Sequence, residues 1–421
     1  MSNNFRLIGI GASAGGVKAI QEFFVNIADA TAHSFVVIQH FPSNHQNRMG
    51  SILKKHSNLP VIIVEEAVTI KKGHIYLMSP LMNLIAEDGI LKPQAKNPNN
   101  LLNLPIDVFF TTLSQEYKED AIGIILSGTG SDGMKGIRKI KEKGGLVVVQ
   151  DPMEAEFNSM PMNAIRTDLV DSVLPINRMS EGIFDFIAKS TLFMPNAEGV
   201  QDYIQRILTH IKNVKEVDFI DYKLPTILRF VDRRMILAKI DSLKSYFEYI
   251  INTPEETNIL FKGFLINVTG FFRDPQVWEE LKSKHLVELI KSKAASDEVL
   301  KVWTVGCSTG EEIYTLAIVI HEIMSEHNIH CEVKMFGTDL SRDPIEFAKR
   351  GIYTASLVSD MPQEYLDRYF VLEEGNFRIR SFIRNKIVFA EHNIIRDFPF
   401  HKIDIGCTIE YKKFPNFLYL I

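Results

Sequence analysis

Three short motifs carry residues suited to acting on an ester. Gly9-Ile-Gly11-Ala-Ser13-Ala-Gly15-Gly16 follows an apolar run and leads straight into a helical pattern. Gly11 to Gly15 fits G-x-S-x-G, which sets a serine on a tight strand-to-helix turn with its hydroxyl exposed. The amides at the helix start are donors for a developing oxyanion. The same residues also fit the dinucleotide fingerprint G-x-G-x-x-A through Gly9, Gly11 and Ala14, and a plain glycine turn is a third reading. The second strand discriminates between them. A dinucleotide fold ends that strand on Asp or Glu, to hold the ribose; here it ends Gln39-His40-Phe41-Pro42. An imidazole there is what a serine nucleophile needs as its base. A third strand ends in Ser127-Gly-Thr129-Gly-Ser-Asp132-Gly-Met134, so that Asp132 can orient His40 and stabilise the imidazolium. A lone histidine is most often structural and a lone Asp before a helix is most often a cap. Three such groups at the carboxyl ends of three strands, where α/β sheets place ligands, point to a Ser-His-Asp hydrolase. The chain order Ser, His, Asp differs from that of the α/β-hydrolases, so another fold is expected.

A second constellation lies further on. Val302-Trp-Thr-Val305-Gly306-Cys-Ser-Thr-Gly310-Glu311-Glu312 reads as strand, glycine turn and helix, and the next strand, from Val333, ends at Thr338-Asp339. An acid at that position accepts hydrogen bonds from ribose hydroxyls. Upstream stands Asn267-Val-Thr269-Gly-Phe271-Phe272-Arg273-Asp274, and downstream His392-Asn393-Ile394. Each piece has an ordinary structural explanation: first-turn helix charges, a helix cap, or an aromatic staple between domains. Together they describe a nucleotide-like ligand site.

The elements that must position these groups divide into unlike halves. Leu7–Ile10, Phe35–Ile38, Val61–Val64, Ile122–Leu126 and Leu146–Val149 are β-rich, with helical patterns at Val17–Phe24 and Lys135–Lys143. That alternation predicts an α/β domain with a largely parallel sheet over 1–190. A linker carrying Pro195 and Gly199 spans 191–200. A small helical domain follows over 201–275, with Tyr203, Ile207 and Ile211, then Ile227, Val231 and Ile236, at helical spacing. Strands return at Val302–Val305, Val333–Gly337 and Ile387–Ala390, predicting a second α/β domain over 276–421. With 421 residues, two or three domains are expected. At 46% hydrophobic, 24% charged and net charge −5, the composition is that of an ordinary globular chain and gives no reason to propose nucleic acid as a partner. No stretch reaches the length of a membrane span and no signal peptide precedes the first strand, so no membrane insertion and a cytoplasmic location are expected. The three cysteines, Cys307, Cys331 and Cys407, show neither metal spacing nor a disulfide framework, and no metal is expected.

The three N-terminal motifs closely resemble those of the chemotaxis protein-glutamate methylesterase catalytic domain, over about residues 3–190. The resemblance implies Ser13 as nucleophile, His40 as base and Asp132 as orienting acid, hydrolysing a glutamate γ-methyl ester on a methyl-accepting receptor. Thr129 stands where the family commonly has methionine, and the receiver domain that often precedes this enzyme is not expected. From about 200 to 404 the chain resembles the chemotaxis protein-glutamate O-methyltransferases, a helical domain followed by a Rossmann-like domain that binds S-adenosyl-L-methionine. This implies Asn267, Thr269, Arg273, Glu312, Asp339, Asn393 and Ile394 as donor-binding residues. It also implies that Arg229 and Arg233, one helical turn apart, face an acidic receptor helix, a solvated face being the alternative. Beyond Asp404-Ile405 the family continues into a Cys-Arg-Asn motif. Here Gly406-Cys407-Thr408 follows instead, so a truncated transferase domain is expected, with its activity lost. The alternatives are a serine hydrolase of other esters and a signalling scaffold with degenerate activities.

Overall fold

The computed structural model describes residues 5–27, 32–39, 49–96, 103–190, 199–220, 222, 224–265, 269–394 and 396–408. The chain falls into two compact units, Met1–Ile266 and Asn267–Ile421.

In the first unit, seven parallel strands form one sheet: β1 (Leu7–Ala12), β2 (Ser34–Gln39), β3 (Val61–Val64), β4 (Ile75–Met78), β5 (Ile122–Ile125), β6 (Leu146–Gln150) and β7 (Ser172–Leu174). Their order is β7-β6-β5-β1-β2-β4-β3. Every residue of β1 and β2 is buried, as a parallel sheet covered on both faces requires. Ile8 and Ile10 face a core shared with α1 (Gly16–Val25) and with Ile176, Met179 and Ile183 of α5 (Ile176–Ser190). Leu7 and Val36 face the opposite core, built on Ile106, Phe109 and Phe110 of α2 (Pro105–Tyr117) and Ile137 and Ile140 of α3 (Met134–Glu142). One side of that core is closed by Met160 and Ala164 of α4 (Ser159–Ile165). The parallel α/β reading therefore stands. A small antiparallel sheet of Val68–Thr69, Met82–Glu87 and Ile90–Ala95 is an addition that apolar runs alone did not reveal.

Four helices complete the unit: α6 (Val200–Lys215), α7 (Leu224–Leu237), α8 (Leu243–Asn252) and α9 (Pro254–Phe264). Their apolar faces meet around Ile207, Ile211, Phe219, Val231, Tyr246 and Phe264. The helical spacing read from Ile207, Ile211, Ile227 and Val231 marks buried positions; Ile204 rather than Tyr203 continues it inward.

The second unit holds a parallel sheet of β8 (Leu300–Val305), β9 (Val333–Asp339), β10 (Ile387–Glu391) and β11 (Ile405–Thr408), in the order β10-β9-β8-β11. Helix α10 (Glu311–Glu326) packs Ile313, Leu316 and Ile320 into its core. Phe271 is buried there against Tyr353, and Phe272 stacks on Tyr365, so this aromatic pair staples the second unit internally.

Candidate active site

Ser13 is the first residue beyond β1, and the chain turns sharply at it. Its amide donates to the Ser127 carbonyl (3.0 Å) at the end of β5, and its own carbonyl accepts from Gly16 N–H (2.9 Å) at the start of α1. One of the helix-start amides expected to serve an oxyanion is thus used to close the turn. Gly15 takes φ +70°, and a Cβ there would lie 2.7 Å from Ser127 Oγ and 2.9 Å from Glu156 Cβ. Only glycine fits a left-handed turn this crowded. Ser127 Oγ in turn donates to the Ala14 carbonyl (3.0 Å) and accepts from Phe157 N–H (3.0 Å), which ties the serine turn to the segment after β6. That segment forms one wall of the site, a feature the sequence reading missed. Phe157 and Met160 pair their backbones with Gly128, Asn163 Nδ2 donates to the Gly130 carbonyl, and Gly130 N–H donates to Ser159 Oγ. The Met160 side chain lies against Gly128, where a Cβ would stand 3.0 Å from Ser13 Cβ.

Asp132 lies in the loop after β5, 8% exposed. Its Oδ2 accepts from Ile106 N–H and its Oδ1 from Asp107 N–H, both 3.0 Å. It therefore does cap a helix, though α2 rather than the α3 that follows it. Burial pushes its carboxyl well up, the Asp107 carboxylate adds to this, and amide hydrogen bonds from Ile106, Asp107 and Gly133 act against both. These three amides leave the carboxylate with acceptor capacity to spare. Gln39 is the register partner of Ala12, so β1 and β2 end level with one another. His40, next after Gln39, lies outside the described residues, as does Asn267.

In the second unit Asp339, Glu312, Asn393 and Ile394 lie at or just beyond the carboxyl ends of the strands. Asp339 ends β9; its Oδ2 accepts from Ser308 N–H and its Oδ1 from Ser341 N–H, both 2.9 Å. Its carbonyl accepts from His392 N–H (2.9 Å), which brings the end of β10 alongside. Glu312 is half-buried in the first turn of α10. Burial raises its carboxyl, against a hydrogen bond from the Cys407 thiol (2.8 Å) and the charge of Arg273. Cys407 on β11 was not among the expected residues; only the strand pairing of β11 with β8 brings it there. Thr269 is buried, Arg273 is exposed, and Ile394 is 53% exposed. Asn393 uses its backbone in a turn with Arg396 and Asp397. Between β8 and α10, Gly306 at φ +65° has open space where a Cβ would stand, and Ser308 Oγ is buried with no hydrogen-bond partner among the described residues. Room beside bare backbone at Gly306 and an unsatisfied hydroxyl fit a polar ligand.

The model of the CheB methylesterase family matches residues 8–183. A putative protein-glutamate methylesterase/protein-glutamine glutaminase of Leptospira interrogans is 37% identical over 179 residues, 42% of this chain and 93% of that protein. The chain belongs to the CheB methylesterase family. Beyond its methylesterase domain, the all-alpha domain of CheR methyltransferase matches 202–265 and the CheR SAM-binding domain matches 267–407. The cofactor of this second half is therefore S-adenosyl-L-methionine. An uncharacterized 104.1 kDa protein of Rhodobacter capsulatus is 33% identical over 382 residues, 85% of this chain; the chain spans 40% of that relative's length. The crystal structure of the Thermotoga maritima CheB methylesterase catalytic domain aligns with 43% of this chain and 97% of its own, at 27% identity and a TM-score of 0.41. Among the described residues no helix is long and apolar enough to cross a membrane.

One expectation about this CheB–CheR chain changes. Arg233 is buried and paired with Asp171 of the methylesterase domain (3.1 Å), so it lies on neither a solvated nor a receptor-facing surface.

Proposed function

We propose that this chain hydrolyses glutamate γ-methyl esters on a methyl-accepting receptor or similar signalling protein, with Ser13, His40 and Asp132 as the triad. The observation that carries the reading is the shared carboxyl end of the sheet: Ser13 on its tight turn after β1, Asp132 in the loop after the neighbouring β5, and β2, which leads into His40, ending level on the other side. Ser13 Oγ attacks the ester carbonyl while His40 takes its proton; His40 then returns a proton to the departing methoxide, and methanol leaves. Water repeats the sequence on the acyl-enzyme to give the free glutamate and regenerate Ser13. The names of the relatives add a second hydrolytic substrate, the glutamine side-chain amide. It presents the same acyl carbon with ammonia as leaving group.

The CheR half supports the opposing activity, methylation of receptor glutamates. When bound, S-adenosyl-L-methionine supplies an electrophilic methyl group. Asp339 would hold the ribose, with Asn267, Thr269, Glu312, Asn393 and Ile394 lining the site. Arg273 would stand near donor and acceptor, and the ionised acceptor carboxylate needs positioning more than acid–base help. Two opposed activities in one chain set a level of modification. Methanol release from a methylated receptor fragment tests the esterase reading. Release by the wild-type chain and not by Ser13→Ala is expected; equal release by both would remove the assignment.

A further inference from the structure

The sheet edge opposite Ser13 carries a charge cluster that catalysis does not use. Asp171 stands just before β7. Its Oδ1 accepts from Lys141 Nζ (2.6 Å) and Arg233 Nη1 (3.1 Å), and its Oδ2 from Val147 N–H (2.8 Å). The side chains of Lys141, Asp171 and Arg233 are 5–7% exposed. Lys141 and Asp171 belong to the methylesterase domain, whereas Arg233 comes from α7 of the all-α domain. A second guanidinium nitrogen, Nη2, donates to the Gly144 carbonyl (2.6 Å). Arg234 continues the chain inward. It reaches the Asp171 carbonyl (3.4 Å) and grips the buried Glu256 through two bonds (2.7 and 2.6 Å), and Glu256 also accepts from Tyr246 Oη (2.9 Å). Hydrogen bonds thus run unbroken from β6 to the core of the four helices.

The surroundings are shaped to the same contact. Gly144 sits at φ +85°, and a Cβ there would lie 2.6 Å from the Arg229 guanidinium. The Arg233 guanidinium lies 5.7 Å from the Phe186 ring centroid, and Lys141 Nζ 5.6 Å from that of Phe230. At the rim, Lys262–Asp168 and Lys239–Glu181 are exposed pairs that add little. Burial pushes the Asp171 carboxyl up, but Arg233, Lys141 and the Val147 amide outweigh it and hold it below the ordinary carboxylate range.

We infer that the all-α domain is a fixed structural part of the methylesterase unit, clamped there by Arg233 and Arg234, and that Arg233 is withdrawn from recognition of an acidic receptor segment, although Arg229 one turn away stays exposed. A receptor carboxylate could reach Arg233 only by displacing a buried carboxylate that already serves two cations and an amide. Removing one member of such a buried set leaves charge uncompensated. The division of the chain after Ile266, rather than ahead of the all-α domain, agrees.

The test uses the full chain, with hydrogen exchange followed at residues 141–147 and along α7, together with melting. It depends on neither enzymatic activity. Arg233→Ala and Asp171→Asn should each raise exchange on both sides of the contact and lower the melting midpoint by about 5 °C or more. The double variant should fall well short of the sum of the two. Should Arg233→Ala fail to fold, Arg233→Lys, which keeps the charge but loses the fork to Gly144, should give the same pattern more weakly. A glutamate-rich helical peptide added to the wild type should leave exchange at both segments unchanged. Additive variants with unaltered exchange, or a peptide that opens both segments, would overturn the inference.

Discussion

Asp132 and Asp171 sit at opposite edges of one sheet, both nearly excluded from solvent, and are treated in opposite ways. Asp132 receives backbone amides and a neighbouring carboxylate, and its carboxyl is pushed up. Asp171 receives an amide and two cations, and its carboxyl is held down. For Asp171, stability is gained above the ordinary value of 3.8 and lost as pH falls through the lowered one. For Asp132 the sign reverses: the folded chain holds the proton more tightly than the unfolded chain, so stability falls as pH rises from 3.8 through the raised value. One aspartate is neutralised into the architecture. The other is kept at a cost in stability, as expected of a group reserved for a moving charge.

Substitutions that sharpen this contrast range from very large effects to small ones. Ser13→Ala or His40→Ala should lower ester hydrolysis by about 10⁴-fold or more, read as methanol release. In the second unit, Asp339→Ala removes the carboxylate that accepts from Ser308 and Ser341 and would hold the ribose. Donor affinity measured by calorimetry should fall by roughly tenfold or more. Asp171→Asn should remove the share of acid unfolding below pH 3.8 that Asp171 contributes, seen as a less steep stability profile there. The smallest effect tests the carboxylate beside Asp132. Asp107→Asn keeps an acceptor for Gly136 N–H but removes a charge that disfavours ionised Asp132. The acid limb of the hydrolysis profile should therefore move to lower pH; movement the other way would mean that Asp107 does not act through its charge.

Much of the first edge was legible because strands buried on both faces are short apolar runs, and the groups ending them are read off directly. Ser13, Gln39 with His40, and Asp132 follow such runs immediately. The small antiparallel sheet escaped because its strands are half polar, yet Asp88-Gly89, both at positive φ between Met82–Glu87 and Ile90–Ala95, is a hairpin signal that was available. The second edge could not be read in the same way. Lys141, Asp171 and Arg233 are separated by 30 and 62 residues, and each looks like an ordinary surface charge in its local sequence. The helical spacing of Arg229 and Arg233 was correctly seen, but what that face meets is decided by tertiary packing. Cys407 beside Glu312 is a similar case, since only strand pairing across the second sheet brings them together.

The contrast between the two edges is tested most directly by methanol release from a methylated receptor fragment, comparing Asp132→Asn with Asp171→Asn at a temperature where both are folded. Asp132→Asn should lose about 10³-fold or more in rate, while Asp171→Asn should stay within roughly threefold of wild type. Melting should order them the other way, with Asp171→Asn the less stable. An Asp132→Asn variant that keeps more than about a tenth of the rate, beside an Asp171→Asn variant that loses it, would contradict the assignment of catalysis to the Ser13 edge.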